Sequence, residues 1–445
     1  MARWKPALLF VLLAANSLGA EPNAKLGEKA LLSRAFNPPI WTKKAYDEVW
    51  KQWGIDQKPE NYHAAFAARY GLHPAPYDNG GYPMGIRETT FLFKSTIATD
   101  CLMCHGGSIA GKSYVGLGNA SLDIQTLYEE MNAADGRKAQ TPFVFSYVRG
   151  TNEAGNMSVF LLSYRTPDLV FQRPPRDLRM REFLCEDVPA WWLLKKKKTM
   201  YHTGGADARS VRSLMQFMMH PLNRAEDIYK AEKDFRHIQA YLLDLQPPEY
   251  PFAIDKKLAR DGERLFVKHC AKCHGTYGDQ WTYPNRIVPI EVIGTDRTRF
   301  DGISKEFGRY YNRSWFAREK KGWYADDYLA SETVGYQAPP LDGLWATAPY
   351  LHNGSVPTVY HVLNSKARPV VYTRSFRTGV EDYDAEKLGW KFVELKNVDD
   401  QKLSPMERRR IYDTRLPGRG NGGHRFGDRL SEQERWAIIE YLKTL

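Results

Sequence analysis

Apolar residues recur at helical spacing near residue 440 and predict a helix there. Trp436, Ile439 and Leu442 form one apolar stripe, with charged residues between them. Ser431 and Glu434 have the spacing of a capping box, in which the two residues satisfy each other's free backbone N–H groups. The pattern therefore predicts a capped amphipathic helix at this end of the chain.

A second apolar stripe lies within Asp255–Lys268. Leu258, Leu265 and Phe266 share one helical face, and Gly262 lies on the same side. Because glycine has no side chain, this position would let another helix approach closely. The segment is predicted to be a helix that packs against a neighbour through Gly262.

The closing helix has a counterpart earlier in the chain. Asp227–Leu245 also carries an apolar stripe, and its last eight residues resemble Ile438–Leu445, with the same Tyr-Leu pair. The proline-rich run Gln246–Pro251 follows directly and is typical of a linker. The alternation of apolar and polar residues that is typical of strands is weak throughout the chain. We therefore expect a mainly α protein of two similar units with long loop insertions.

The first twenty residues resemble a secretory signal peptide. Arg3 and Lys5 precede the apolar run Ala7–Ala15, and small residues follow up to a predicted cleavage point near Ala20. The apolar run is too short to span a bilayer, which needs about 20 residues. We expect a periplasmic or secreted protein without a transmembrane segment in the mature chain; an uncleaved anchor is the alternative.

Composition narrows the class without identifying the chemistry. The 445 residues are 43% hydrophobic and 26% charged, which excludes disordered and fibrous proteins. The net charge of +11 would suit nucleic acid, an anionic membrane, an acidic partner or an anionic cofactor. No basic helix or recognition motif is evident, and the protein is predicted to be exported, so we expect no nucleic-acid partner.

Four of the five cysteines form two copies of one motif. Both Cys101–His105 and Cys270–His274 read C-x-x-C-H, the signature of covalent haem c attachment. Two such motifs predict two haem c groups. One shared four-cysteine zinc site is the alternative, but the motifs lie too far apart and both carry a histidine. A thioredoxin-like pair would occur once. The predicted thioether residues are Cys101, Cys104, Cys270 and Cys273, and the predicted proximal iron ligands are His105 and His274.

The motifs and the linker together predict the domain organisation. The expected fold is two cytochrome c-type haem domains with long loop insertions. The predicted segments are a signal peptide at 1–20, an N-terminal haem c domain at 21–246, a proline-rich linker at 247–253 and a C-terminal cytochrome c domain at 254–445.

The sixth iron ligand decides whether a haem carries electrons or binds oxygen species. In the second domain, Met406 lies in a charged segment that is a poor haem pocket. His424 lies in a glycine-rich loop just before the closing helix and is the preferred distal ligand. His352 is the alternative. The first domain offers several Met and His residues but no clear sixth ligand, which favours an open site.

The stretch 339–358 resembles a segment shared by the bacterial dihaem cytochrome c peroxidases, the tryptophylquinone-maturing enzymes and the rubber oxygenases. Its Leu-His-Asn-Gly-Ser-Val-Pro-Thr run, and the Gly-His-x-Phe-Gly element at 423–427, are closer to the rubber-oxygenase branch. The likeness covers roughly 255–445, and the N-terminal domain only through its motif and the region 188–192.

The resemblance implies a division of labour between the haems. His274 and His424 would hold a relay haem, and His105 would hold a haem that reacts with dioxygen or peroxide. His352 would then lie near the haem and not on its iron. Trp191 or Trp192 would be an electron relay between the haems, or packing residues between the domains.

Three classes of function follow. The first is an exported dihaem oxidoreductase that activates H2O2 or O2 and exchanges electrons with a small redox protein or a quinol-linked partner. Glu182, Glu186 and Asp187, close to the tryptophans, are candidate acids or bases. The second is a dihaem electron-transfer cytochrome without catalysis. A gas sensor is the third hypothesis. Whether a calcium ion lies between the domains is left open.

Overall fold

In the computed structural model, residues 21–318 and 328–445 are described, apart from 397 and 399. The predicted signal peptide lies outside the described residues. The α-helices are Ala24–Ser33, Lys43–Glu48, Tyr62–Tyr70, Leu102–His105, Ile124–Ala134, Ala154–Ser163, Ala225–Asp244, Lys256–His269, Ala271–His274, Ile290–Ile293, Thr298–Gly302, Lys305–Arg313, Val359–Leu363, Pro405–Arg409 and Glu432–Leu442. The 3-10 helices include Val49–Gln52, Trp191–Lys196, Arg212–Met218, Leu344–Ala346 and Arg425–Gly427.

The strands are short and form small antiparallel sheets. They are Trp41–Thr42, Ile86–Phe91, Lys94–Thr99, Gly106–Ile109, Lys112–Val115, Thr199–Met200, Ala206–Asp207, Ile287–Pro289, Gly335–Gln337, Val371–Thr373, Tyr383–Asp384, Gly389–Trp390, Val393–Glu394 and Ile411–Asp413. Ile86–Phe91 pairs with Lys94–Thr99 as the longest hairpin, and Trp41–Thr42 adds a third strand.

The fold is mixed, with 38% helix and 13% strand, so the expectation of a mainly α protein is not confirmed. Sequence alternation missed the strands for a physical reason. The hairpin Ile86–Phe91/Lys94–Thr99 is buried only at its open end, so its residues do not alternate between core and solvent along their length.

The two predicted amphipathic helices of the C-terminal half are confirmed and cross each other. Ser431 and Glu434 form the reciprocal capping box of Glu432–Leu442. Gly262 lies where Lys256–His269 meets that helix, and a Cβ there would lie 1.8 Å from the Ala437 carbonyl oxygen. Glycine is therefore required at this contact, as the sequence pattern predicted.

The N-terminal half repeats this arrangement. The helix Ala24–Ser33 crosses Ala225–Asp244, the counterpart of the closing helix. A Cβ at Gly27 would lie 1.9 Å from the carbonyl oxygen of His237. An opening helix that crosses a closing helix at a glycine therefore occurs once on each side of the proline-rich segment.

The apolar interior consists of several clusters that meet at two neighbouring tryptophans. One cluster surrounds Ala225–Asp244 and includes Trp191, whereas another surrounds Glu432–Leu442 and includes Trp192. A third cluster forms around Tyr62–Tyr70. The tryptophan pair therefore joins the two halves of the interior. In the described residues, no helix combines the length and the apolar character that crossing a bilayer requires.

Candidate functional site

The first C-x-x-C-H motif forms a tight helical turn followed by a strand. Cys101 begins the helix Leu102–His105, which presents both thiols and the histidine from one turn. Both thiols are free and partly covered, and burial raises the pKa of Cys101 and of Cys104 to about 12. They are neutral thiols at physiological pH in the unmodified chain.

His105 is covered on one face by Trp191. The ring centroids lie 4.4 Å apart and the planes are only 18° from parallel. Nδ1 of His105 is buried and forms no hydrogen bond within the described residues. Burial lowers the pKa of His105 to about 4, although the carbonyl of Pro189 acts to raise this pKa. The imidazole is thus neutral at physiological pH, the form that binds iron.

The second motif follows the helix Lys256–His269 and presents Cys270, Cys273 and His274 from a short turn. The hydrogen bond between Nδ1 of His274 and the carbonyl oxygen of Pro339 is 2.8 Å long. A carbonyl can only accept, so this bond fixes the proton on Nδ1 and leaves the lone pair on Nε2 for a metal.

His424 is held in an unusual backbone conformation by the glycine-rich loop. Its φ is 45°, and its N–H donates to the carbonyl of Ile293 at 2.7 Å. Gly423 packs so closely against the backbone of Gly294 that a Cβ would lie 2.2 Å from its carbonyl carbon. The buried guanidinium of Arg368 donates to the carbonyls of Asn421, Gly423 and His424, and also to those of His361 and Val362.

This loop brings His424 opposite His274. The ring centroids lie 6.3 Å apart with the planes at 60°. Two imidazoles that bind one shared metal, with metal–nitrogen distances of about 2.0–2.1 Å, have ring centroids roughly 6.3 Å apart, because each nitrogen lies roughly 1.1 Å from its ring centre. Nδ1 of His424 is buried without a partner within the described residues, and burial lowers the pKa of His424 to about 4. The pair therefore fits an iron between two neutral imidazoles.

His352 occupies a different environment. Its ring stacks on that of Tyr336, with the ring centroids 4.0 Å apart, and its centroid lies 6.2 Å from that of His202. Its backbone carbonyl accepts from the N–H of Asp187 at 2.8 Å. Burial lowers the pKa of His352 well below its ordinary value, and its Nε2 forms no hydrogen bond within the described residues. The structure thus brings His424, and not His352, to the ring of His274.

The two tryptophans connect the surroundings of both motifs. Trp191 stacks on His105, while Nε1 of Trp192 donates to the carbonyl of Asp342 at 2.8 Å. The carboxylate of Asp342 pairs with Lys196 at 2.7 Å.

The path continues from Lys196 to the second motif. Its ammonium group lies 4.5 Å from the ring centroid of Tyr277, and the hydroxyl of Tyr277 donates to the carbonyl of His274 at 3.0 Å. Contiguous packed groups therefore run from one motif histidine to the other.

The sequence did not predict a buried ion pair between Glu186, just before the tryptophans in the chain, and Arg299. Glu186 accepts from Arg299 at 3.0 Å, and both side chains are less than a tenth exposed. Burial would raise the pKa of Glu186, but Arg299 and His202 hold it below its ordinary value. Glu186 was a candidate acid or base, and the structure shows an ionised pair instead. Arg299 is distant in sequence and gave no signal of its own.

The family described as RoxA-like, cytochrome c-like matches residues 335–373, which contain the stretch that carries the predicted resemblance. Two proteins of Sinorhizobium fredii (strain NBRC 101917 / NGR234), named uncharacterized proteins y4iJ and y4iM, are 30% and 31% identical to this chain. The matches cover 45% and 46% of this chain and 41% and 52% of the relatives. The chain thus spans about half the length of these relatives.

A solved structure, described as a MauG-like protein associated with microbial copper homeostasis, shares 15% identity. It covers 69% of this chain and 94% of its own, with a TM-score of 0.29, which does not establish a common fold. The match to the RoxA-like segment confirms the resemblance predicted from the sequence. Part of this chain is thus similar to RoxA-like cytochrome c proteins, whose cytochrome c-like domains imply covalently bound haem c.

Proposed function

We propose that the protein is an exported dihaem oxidoreductase with one relay haem and one haem that reacts with peroxide or dioxygen. The observation that carries this proposal is the different surroundings of the two motif histidines. His274 faces a second imidazole, that of His424, at 6.3 Å. The ring partner of His105 is Trp191, and no histidine ring contacts it among the described residues.

The chain's residues would act differently at the two sites. The haem groups would supply one-electron chemistry and, at the first site, an open coordination position for an oxygen species. His274 and His424, fixed by Pro339 and Arg368 respectively, would hold the relay haem. His105 would offer one neutral imidazole from an apolar environment that excludes water.

Trp191 and Trp192 are the proposed relay residues. Trp191 lies against His105, and Trp192 reaches the segment 339–342 that binds both Nδ1 of His274 and Lys196. Their neighbouring positions in two apolar clusters place one aromatic surface on each side of the junction between the halves. A packing role alone would leave electron transfer between the haems unchanged when they are replaced.

Two haem domains are proposed, at 21–246 and 254–445, joined by the linker at 247–253. The crossing of an opening and a closing helix at a glycine in each half supports this division. The proposed location is the periplasm or the exterior, after removal of residues 1–20. A small redox protein or a quinol-linked protein is the proposed electron partner.

Low-temperature EPR of the ferric protein, matured with its haems, tests the proposal. We expect one low-spin and one high-spin signal of equal intensity. His424→Ala should convert the low-spin signal to high spin, whereas His269→Ala, at a half-buried histidine beside the same motif, should leave it unchanged. Loss of the low-spin signal in His352→Ala but not in His424→Ala would assign the ligand to His352.

A dihaem electron carrier is the competing function, and the same spectrum distinguishes it. Two low-spin signals, with no CO bound to the fully reduced protein, would contradict the proposed reactive haem. CO bound at one haem per chain would support it. Absence of covalent haem after denaturing electrophoresis would overturn the whole proposal.

A further inference from the structure

A cavity lies between the N-terminal and C-terminal halves of the structure. Its walls come from residue 120 and residues 148–151 on one side, and from segments between 349 and 412 on the other. The volume enclosed by these walls is about 20 Å³. Neither the motif cysteines nor His274 and His424 line it.

Three arginines from separate segments converge on this cavity around one aromatic ring. The guanidinium carbons of Arg374, Arg149 and Arg410 lie 4.4, 5.2 and 5.3 Å from the centroid of Phe376. Arg374 also lies 4.6 Å from the ring centroid of Trp390. The aromatic rings hold the guanidinium groups in place but supply little negative charge.

The guanidinium group of Arg374 keeps an unused donor, whereas the hydroxyls around it do not. Nη1 of Arg374 is buried and forms no hydrogen bond within the described residues. The hydroxyl groups of the lining residues already donate to backbone carbonyls. These residues are Thr151, Tyr372, Thr373 and Tyr412. An unpartnered donor on a buried cation is costly, so a ligand that accepts hydrogen bonds would stabilise the site.

Neighbouring carboxylates are engaged elsewhere. Asp123 pairs with Arg409 at 3.1 Å, outside the cavity lining, and Asp382 accepts from Ser375 at 2.6 Å. Asp187 packs near the cavity wall, and burial raises its pKa well above the ordinary value, which favours the neutral acid. In the described part of the chain, no ion pair joins a carboxylate to any of the three cavity arginines.

The positive charges therefore act on one another. Burial lowers the pKa of Arg374 to about 9, the charge of Arg149 lowers it further, and Asp382 and Asp187 act to raise it. Burial likewise lowers the pKa of Arg149 to about 10, Asp123 acts to raise it, and the charge of Arg410 lowers it. Three close cations without a directly paired carboxylate make the cavity unsuited to a metal cation and suited to an anion.

We propose that this interdomain cavity is a binding site for an oxyanion, a carboxylate or a phosphate group, held by Arg149, Arg374 and Arg410. Guanidinium forks match the spacing of the oxygens in a carboxylate or phosphate group. A spherical anion has no such pair of oxygens. The oxyanion comes either from solution or from a haem propionate, and the chemistry of recognition is the same for both.

The position of the cavity couples such an anion to both halves. Arg374 donates to the carbonyl of Ala120, and the adjacent Asn119 donates its N–H to the carbonyl of Cys104 at 2.8 Å. Gly354, on the opposite wall, follows the His352 loop closely in sequence. A bound oxyanion would therefore hold the first motif's segment against the segment of the C-terminal half.

Calorimetric titration of the dihaem protein with inorganic phosphate, in a buffer free of other oxyanions, tests the solution source. We expect one phosphate per chain in the wild type and at least about tenfold weaker binding in Arg374→Gln, the effect of losing a charged donor. Arg377→Gln, an exposed arginine three residues away, is the matched control and should bind as the wild type does. Arg410→Gln, partly exposed, provides a second variant if Arg374→Gln does not fold.

A propionate source gives a different result. The wild type would then bind no added phosphate, because the site is filled. The reduction potential of one haem would fall in Arg374→Gln and Arg410→Gln, but not in Arg377→Gln, because a cation beside a haem favours the reduced state. The inference is wrong if phosphate binds equally well to all variants, or if phosphate does not bind and no potential changes.

Discussion

Replacement of Arg368 tests whether the His424 loop is held by one guanidinium group. Arg368 donates to five backbone carbonyls, and its bonds to His361 and Gly423 are both 2.8 Å long. In Arg368→Met these carbonyls lose their donor, so the loop that carries His424 should move away from His274. In Arg368→Lys the charge stays, but a single ammonium group cannot reproduce the fork.

The expected loss follows from these contacts. A hydrogen bond to a charged group contributes about 1.5–3 kcal/mol. Several such bonds are lost together, but the exposed parts of the loop can bind water, and the buried charge itself is removed. We therefore expect the unfolding free energy of Arg368→Met to fall by about 2–3 kcal/mol. Arg368→Lys should lie between this variant and the wild type.

The assay combines chemical denaturation with absorption and EPR spectra of the ferric dihaem protein. Arg368→Met should show a reduced low-spin fraction and CO binding at a second haem after reduction. Arg425→Gln, an exposed arginine next to His424, is the control and should keep both properties. A variant that loses stability but keeps the full low-spin signal would refute the argument that Arg368 positions His424.

Further substitutions test other parts of the structure. Gly262→Ala should lower the unfolding free energy by about 3 kcal/mol, because its Cβ overlaps the crossing helix. Gly308→Ala, at an open helical position, should raise the unfolding free energy by up to about 1 kcal/mol. Denaturant titration checks both variants. Arg299→Met should cost about 3–5 kcal/mol at neutral pH. Without Arg299 the burial of Glu186 is opposed less and its pKa rises, so the loss should shrink as the pH falls towards 4; a pH-independent loss would contradict the ion pair. Trp192→Leu should slow reduction of one haem by the other in stopped-flow measurements, and an unchanged rate would leave Trp192 a packing residue only.

Local patterns were sufficient for the features that depend on neighbouring residues. The capping box at Ser431 and the close contact at Gly262 follow from helical periodicity and from the missing glycine side chain. The C-x-x-C-H spacing is likewise local, and so is the stretch at 339–358, which lies within the family match at 335–373. The short strands were missed, because Ile86–Phe91 and Lys94–Thr99 are buried only at one end and others, such as Gly106–Ile109, are buried along their length, which leaves little alternation.

Contacts between distant segments could only be seen in the tertiary structure. Sequence reasoning named both His424 and His352 for one iron, and nothing in their spacing chose between them. The folded chain brings His424 opposite His274, because Arg368 and Gly423 fix the loop that carries it.

The cavity arginines illustrate the same limit. Arg149, Arg374 and Arg410 lie in three unrelated segments, and each alone is an ordinary basic residue in a basic protein. Their electrostatic effect arises only where the two halves meet. The sequence determined the spacing of the motif residues and the helices that frame them, because these depend on residues a few positions apart. The pairing of His424 with His274 and the grouping of the cavity arginines were decided by tertiary packing, because they depend on which distant segments become neighbours.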